Sequence, residues 1–290
     1  MMVIFNPAAG RRRAQLLWRV LDVITANGVR LEIAETRHSG HATELARAAA
    51  ASGQRLVVAA GGDGTIAEVA NGLSGSPSRL GIIPLGTANV LARELGLPFA
   101  PVAVAAALAF GRTRTVWPGL VLARGGIAPL LFVQMIGAGF DAQVVHRLSD
   151  RMKRSLGRNA YVLQGLREVA RYGFAPIRLS LDGRETEAGS VIVSKGQLYG
   201  GGYTLAPGAS PTERGFTVAL FDRCGPLSAL IYGAALPLNL ISRMPGLRLL
   251  RAHDIRIVSA DVPAQADGDA AGQGPLTVTD APHSMQVVVA

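Results

Sequence analysis

Val57-Val58-Ala59-Ala60-Gly61-Gly62-Asp63-Gly64-Thr65-Ile66-Ala67-Glu68-Val69-Ala70-Asn71-Gly72 runs from an apolar segment through a glycine-framed aspartate into a segment of helical character. The apolar part is too short for a helix and reads as a buried strand. Strand, glycine loop and helix start together make a phosphate site. Glycines let backbone N–H groups approach an anion, and the first N–H groups of a helix lack intrahelical partners. The same string also serves as a tight turn, so its meaning depends on what the rest of the chain brings to it.

Around this stretch, strands and helices alternate. Met2–Phe5 reads as a buried strand, followed by the loop 6–10 and a helix carrying Leu17, Val20, Leu21 and Ile24, stopped at Asn27-Gly28. A second strand holds Leu31 and Ile33 and ends near Thr36. An alanine-rich helix then runs to Ser52, and Leu80–Pro84 is a fourth strand before Leu85-Gly86-Thr87 and a helix over 89–95. This spacing predicts right-handed crossovers and a mainly parallel sheet with helices on both faces, a doubly wound α/β domain. Open parallel sheets bind ligands beyond the carboxyl ends of their strands. The loops 6–10, 36–40, 61–65 and 85–89 all lie at such ends and are expected to converge.

Beyond Gly111 the pattern changes to short strands without crossovers: 116–123, 130–136, 177–181, 190–194, 216–221, 255–259, 276–279 and 285–289. Segments 177–181 and 190–194 look like a hairpin about Asp182-Gly183. Two helices, 161–172 and 227–236, interrupt the run. An antiparallel β-sandwich or barrel-like domain is expected. The division is drawn as 1–112 and 113–290.

Of 290 residues, 49% are hydrophobic and 17% charged, which excludes wholesale disorder. The formal charge is +9, and Lys153 and Lys195 are the only lysines, so the basic side is almost entirely arginine. Such a surface suits nucleic acid, anionic lipid or a phosphorylated ligand. Aromatics are 5% and are not interleaved with the arginines, which argues against nucleic acid bound by base stacking. Cys224 stands alone, so no intrachain disulfide or cysteine zinc cluster forms, in keeping with a reducing cytosol. No run reaches the ~18 apolar residues of a membrane span, and a cytoplasmic, peripheral protein is expected.

Neither a P-loop with its lysine nor Gly-x-Gly-x-x-Gly occurs in the first half. Triphosphate charge would fall to backbone N–H groups, Mg²⁺ and arginines, with Arg11–Arg13 and Arg93 nearest. Asp63 would be repelled by phosphate unless it holds a metal, a hydroxyl proton or a ribose oxygen. Its alternative is an Asx-turn or helix cap. Asp267-Gly268-Asp269 offers two carboxylates that an extended segment would place on one face, as a base with a supporting group, and that a hairpin tip would reduce to turn chemistry. The basic stretch 147–158 reads as a membrane-facing patch or a solvated face.

Taken together, these strings resemble the diacylglycerol kinase and sphingosine kinase catalytic family, in particular its single-chain bacterial lipid kinases. The resemblance rests on Asn6-Pro7-x-x-Gly10, Gly61–Thr65 with Glu68-Val69 and Asn71-Gly72, and Pro84-Leu85-Gly86-Thr87-Ala88-Asn89. Further on it rests on Gly137-x-Gly139-Phe140-Asp141, Tyr199-Gly200-Gly201-Gly202, Ala206-Pro207 and Asp267-Gly268. It implies an ATP-dependent lipid kinase with its site in the cleft between two domains, a lipid substrate such as diacylglycerol or a sphingoid base, and a place at an anionic membrane. Carried over by position, it puts ATP on Asn6, Thr36, Gly61, Gly62, Asp63, Gly64, Thr65, Ile66, Ala67 and Thr87, and we add Glu68 and Asn89 from the same strings. Mg²⁺ would come with the ATP, Asp63 being the protein group considered for it.

The family's late glutamate, the proton acceptor, is matched here by the shorter Asp269, with Asp267 and Asp63 as alternatives. Bacterial members carry a second, structural metal held by acidic residues after the Ala-Pro string. Here Arg214 stands where an aspartate is expected and Lys195-Gly196 replaces the usual Asn-Gly, so no second metal is expected. The other readings are an NAD-kinase-like enzyme with a soluble acceptor and a nucleotide- or lipid-binding protein that has lost catalysis.

Overall fold

The computed structural model describes residues 1–10, 14–123, 129–149, 152, 157 and 159–290. It divides into two compact units, Met1–Trp117 with Pro282–Ala290, and Pro118–Ala281. Arg11–Arg13 and most of the basic stretch after Arg147 lie outside the described residues.

In the first unit, β1 (Met2–Phe5), β2 (Glu32–Glu35), β3 (Leu56–Gly61) and β4 (Arg79–Pro84) form a parallel sheet in the order β2-β1-β3-β4. Both faces of β1 and β3 are covered, which is why these strands read as continuous apolar runs. After the one-turn helix α1 (Pro7–Gly10) comes α2 (Ala14–Ala26), whose Leu17, Val20 and Ile24 pack, with Val104 and Leu108, on the face of the sheet that carries Val3, Phe5, Val58 and Ala60. The other face receives α3 (His41–Ala51) and α4 (Asp63–Leu73), which pack on each other. A Cβ on Gly72 would run into Thr43 O and Ala46 Cβ, so glycine there permits the close approach of these alanine-rich helices.

The edge of this sheet differs from expectation. The C-terminal strand Met285–Val289, expected in the β-rich domain, inserts beside β4 in parallel and pairs antiparallel with β5 (Arg112–Val116). Its Val287 and Val288 are buried, and an alternating apolar strand of this kind fits either sheet until its partner is known. The expected strand 116–123 is likewise two strands, β5 in the first unit and Gly119–Ala123 in the second.

The second unit is a β-sandwich of two six-stranded antiparallel sheets. One runs Arg184–Ala188, Ile177–Leu181, Ile255–Ile257, Leu276–Asp280, Gly119–Ala123, Leu130–Phe132. The other runs Leu247–Ala252, Phe216–Phe221, Ser190–Ser194, Met135–Gly139, Pro263–Ala266, Asp269–Gln273. Alternation divides the second sheet: Phe216, Val218 and Leu220 face the inter-sheet core, whereas Ala219 and Phe221 face Tyr232 and Ala235 of the helix Pro226–Ala235. The expected hairpin does not form. Ile177–Leu181 pairs with Arg184–Ala188 through Asp182-Gly183, both at positive φ, and Ser190–Ser194 crosses to the other sheet. Arg184–Ala188 escapes pattern reading because its polar residues carry little apolar alternation.

Candidate active site

In the first unit the four loops are laid side by side by parallel pairing. Phe5 lies opposite Glu35 and Ala60, and Gly61 opposite Pro84. Just past these positions Asn6 N donates to Ala60 O (3.0 Å), Thr36 N to Phe5 O (2.8 Å) and Leu85 N to Gly61 O (2.9 Å). The strand order reverses at β1, since β2 and β3 flank it. The crevice between the ends of β1 and β3 is where such sheets take ligands. Across it Asn6 Nδ2 donates to Thr65 Oγ1 (3.1 Å).

Gly62 caps α4 in extended conformation, and the first turn of this helix aims its N–H groups at the crevice. Gly62 and Gly86 pass so close that a Cβ on Gly86 would lie 2.5 Å from the Gly62 Cα. Backbone and the Asn89 side chain close this point. Asn89, fully buried at φ 49, donates through Nδ2 to Gly86 O (2.7 Å) and leaves Oδ1 unmatched. Close-packed glycine backbone and unpaired helix N–H groups suit an anionic group such as a phosphate.

The acidic residues of these loops fasten backbone. Asp63 accepts the N–H of Asn89 (2.8 Å) and of Val90 (2.6 Å), so it caps the helix 90–94 across the loops. Burial pushes its carboxyl up, with the Val90 and Asn89 N–H groups pulling the other way. Glu68 accepts from Gly40 N (3.0 Å) and Ala42 N (3.1 Å) and thereby caps α3. Ile66 turns its side chain into the core, Gly64 and Ala67 are half-buried and Thr87 is exposed. Arg93 is engaged by Ala88 O (2.9 Å) and stacks over the Phe99 ring.

In the second unit the late motifs meet. Tyr199 Oη donates to Asp141 Oδ1, Gln265 Nε2 donates to Asp141 Oδ2 (2.8 Å), and Gln265 Oε1 accepts from Gly268 N (2.8 Å). This chain of bonds holds the turn Asp267-Gly268. Burial raises the Asp141 carboxyl, opposed by Tyr199 and Gln265, and the Tyr199 phenol is raised well above its ordinary range by burial and the neighbouring carboxylate.

The turn separates the two carboxylates that an extended segment would have aligned. Asp267 and Gly268 have φ of 50 and 90, and Asp267 points inward to accept three N–H groups, from Val133 (2.7 Å), Gln134 (2.9 Å) and Met135 (2.9 Å). Asp269 begins the returning strand and is exposed.

The first 121 residues match the diacylglycerol kinase catalytic domain, and residues 134–289 match the YegS C-terminal NAD kinase beta sandwich-like domain. The chain belongs to the diacylglycerol kinase family. It is 32% identical over 285 residues to the diacylglycerol kinase of Mycobacterium tuberculosis, covering 95% of this chain and 87% of that protein. A probable lipid kinase YegS-like protein of Pseudomonas fluorescens is 29% identical over 252 residues, covering 83% and 82% of the two chains. Among solved structures, a diacylglycerol kinase from Bacillus anthracis superposes with a TM-score of 0.72 at 20% identity over 100% of this chain and 96% of that one, a likeness of fold. Relatives in the family are named lipid kinases, and membership makes this chain a kinase.

Against this background, Gln265 is the participant that sequence reading passes over, although it lies two residues before Asp267. Asp141 and Tyr199 lie within family strings but carry no assignment from sequence. Their pairing across 58 residues leaves no local signal.

Proposed function

We propose that this protein transfers the γ-phosphoryl group of ATP to a hydroxyl of a membrane lipid, a diacylglycerol-like or sphingoid acceptor. The observation that carries the proposal is the loop assembly at the β1/β3 switch point, glycine-walled and fronted by the N-terminus of α4. Asn6, Thr36, Thr65 and Thr87 would contact the nucleotide directly, while Asp63, Glu68 and Asn89 shape the loops that hold it. Phosphoryl transfer depends on positioning and charge neutralisation more than on covalent chemistry by the protein.

Asp269 is the proposed base: it takes the proton as the hydroxyl oxygen bonds to the γ-phosphorus and the bond to the β-phosphate oxygen breaks, releasing ADP. Asp267 holds the turn that presents it. Among the described residues no group of three His, Cys, Asp or Glu is placed to hold a metal. Mg²⁺ in nucleotide sites keeps several waters and takes few protein ligands, which fits an ion delivered on the triphosphate; when bound it neutralises phosphate charge.

The lipid would be met at an anionic bilayer on the inner face of the membrane. Helices Asn159–Val169 and Pro226–Ala235 pack together and expose Val162, Leu166, Leu227, Leu230 and Ile231. Exposed Arg167, Arg171 and Arg243 lie within or close after these segments. No helix among the described residues is long and apolar enough to cross a membrane. Apolar side chains among arginines suit insertion at an anionic interface.

Transfer of γ-phosphate from labelled ATP to mixed lipids, with products identified by mass spectrometry, tests the proposal. Phosphorylated lipid is expected; phosphorylated NAD with no lipid product would replace it by the soluble-acceptor reading.

A further inference from the structure

Lys195 is one of two lysines in a chain with 29 basic residues, and its side chain is wholly buried. Its ammonium donates to Glu213 O (2.9 Å), Gly215 O (2.9 Å) and Asp280 Oδ1 (3.0 Å), three donors for three oxygens. The charge also lies 4.8 Å from the centre of the Phe216 ring. Asp280 Oδ2 accepts from Gly215 N (2.8 Å), so carboxylate and ammonium grip the same loop. Lys195 follows the strand Ser190–Ser194 of one sheet and Asp280 ends the strand Leu276–Asp280 of the other, so the pair ties the sandwich together.

Two main-chain carbonyls and a carboxylate are hard oxygen donors of the kind that bind Mg²⁺ or Ca²⁺. Here the cage is filled by a lysine. After Ala206-Pro207, the loop's one acidic side chain is Glu213, exposed and 3.3 Å from Arg251. The residues present therefore do not fit the structural metal of bacterial relatives. An arginine could not replace this lysine: the planar fork lacks the compact, three-donor tip that the oxygens surround.

We propose that the Lys195 ammonium is a built-in cation that takes the place of a divalent metal, ordering the loop 206–215 against Asp280, and that removing it uncovers an oxygen cage for a hard divalent cation. Burial draws the Lys195 pKa down and Asp280 draws it back, as expected of a charge held inside by its partner. Loss of the ammonium leaves Asp280 Oδ1 and the carbonyls of Glu213 and Gly215 without the cation they share, while Asp280 Oδ2 keeps the Gly215 N–H and lies 3.8 Å from His253 Nδ1.

The test is thermal unfolding of the full chain without nucleotide, in EDTA and in 10 mM CaCl₂ or MgCl₂. This readout is independent of phosphoryl transfer, so it stands or falls separately from the kinase reading. Wild type is expected to keep its Tm within about 1 °C between conditions. Lys195→Ala is expected to lose roughly 6 °C or more in EDTA and to regain at least half of it with Ca²⁺ or Mg²⁺. The double variant Lys195→Ala, Asp280→Asn should regain nothing. Three results overturn the proposal: wild type destabilised by EDTA, Lys195→Ala unresponsive to both ions, or equal recovery in the double variant. If Lys195→Ala does not fold in EDTA, refolding in 10 mM CaCl₂ decides, since folded protein supports the proposal and none overturns it.

Discussion

Replacing each carboxylate of the Asp267-Gly268-Asp269 turn by its amide separates structure from chemistry. In Asp267→Asn the side chain keeps its shape but loses its charge. The Oδ1 that accepts from Gln134 and Met135 at 2.9 Å can stay, with each bond reduced from charge-assisted to neutral. Where Oδ2 accepts from Val133 at 2.7 Å, an amide nitrogen meets an N–H, donor against donor. A bond to a charged group is worth about 1.5–3 kcal/mol against about 0.5–1.5 for a neutral one, so the three changes sum to roughly 3–5 kcal/mol. Asp267 is half-buried, and solvent screening reduces this to about 2–3 kcal/mol. For a unit of this size that is a fall of about 4–12 °C in Tm.

Asp269→Asn replaces an exposed group and is expected to stay within about 0.5 kcal/mol of wild type. As the proposed base it should nevertheless lose about 10²–10⁴-fold in kcat. Calorimetric melts and lipid phosphorylation measured on both variants give a two-by-two outcome. An Asp267→Asn protein that melts like wild type but is inactive, beside an active Asp269→Asn, would refute the division of labour and make Asp267 the base.

Gly86→Ala places a methyl group 2.5 Å from the Gly62 Cα, backbone that cannot step aside, and should cost about 1–3 kcal/mol and weaken ATP binding at least tenfold by calorimetric titration. Asp141 gives a pH signature. Burial raises its carboxyl above the ordinary 3.8, so the native state holds that proton more tightly than the unfolded chain. Its contribution to stability therefore falls as pH rises from 3.8 to the folded value and is level above it. Asp141→Asn has no proton to lose, and urea melts from pH 4 to 7 should show a flatter slope than wild type; identical slopes would count against the buried carboxyl. Leu227→Glu with Ile231→Glu should abolish flotation with vesicles rich in phosphatidylglycerol while leaving Tm unchanged, because both side chains are exposed. Undiminished flotation would place membrane contact elsewhere.

The parallel half of the fold was legible because β1, β3 and β4 are largely buried and each of β1 to β4 is followed by a helix, so local pattern and topology agree. Sequence order alone then brings Asn6, Thr36, Gly61 and Leu85 to one edge. What was not legible was partner choice among short strands. Met285–Val289 alternates as well for an antiparallel sandwich as for the edge of the parallel sheet, and only pairing with Arg112–Val116 decides. Ile177–Leu181 took the nearer but polar Arg184–Ala188 because Asp182-Gly183 can hold the positive φ of a two-residue turn.

The site shows the same limit one level down. Residue type identified which loops carry acidic groups but not what those groups bind. Asp63, Glu68 and Asp267 each accept at least two backbone N–H groups from a segment at least 26 residues away. A carboxylate so engaged keeps loops in place. It is a poor base, since protonation would weaken the bonds that hold the site together. Asp269 is exposed at the start of the returning strand, and this exposure is the ground for proposing it, and not Asp267, as the base. On the proposed reading, proton transfer falls to this shorter side chain, in the place of the family's glutamate. The same reading gives Asp269→Glu a sharp expectation. With the turn fixed by Asp267, Gln265 and Asp141, one added methylene should change kcat by no more than about tenfold while leaving Tm unchanged, whereas a change of more than about 4 °C would show that Asp269 too belongs to the scaffold.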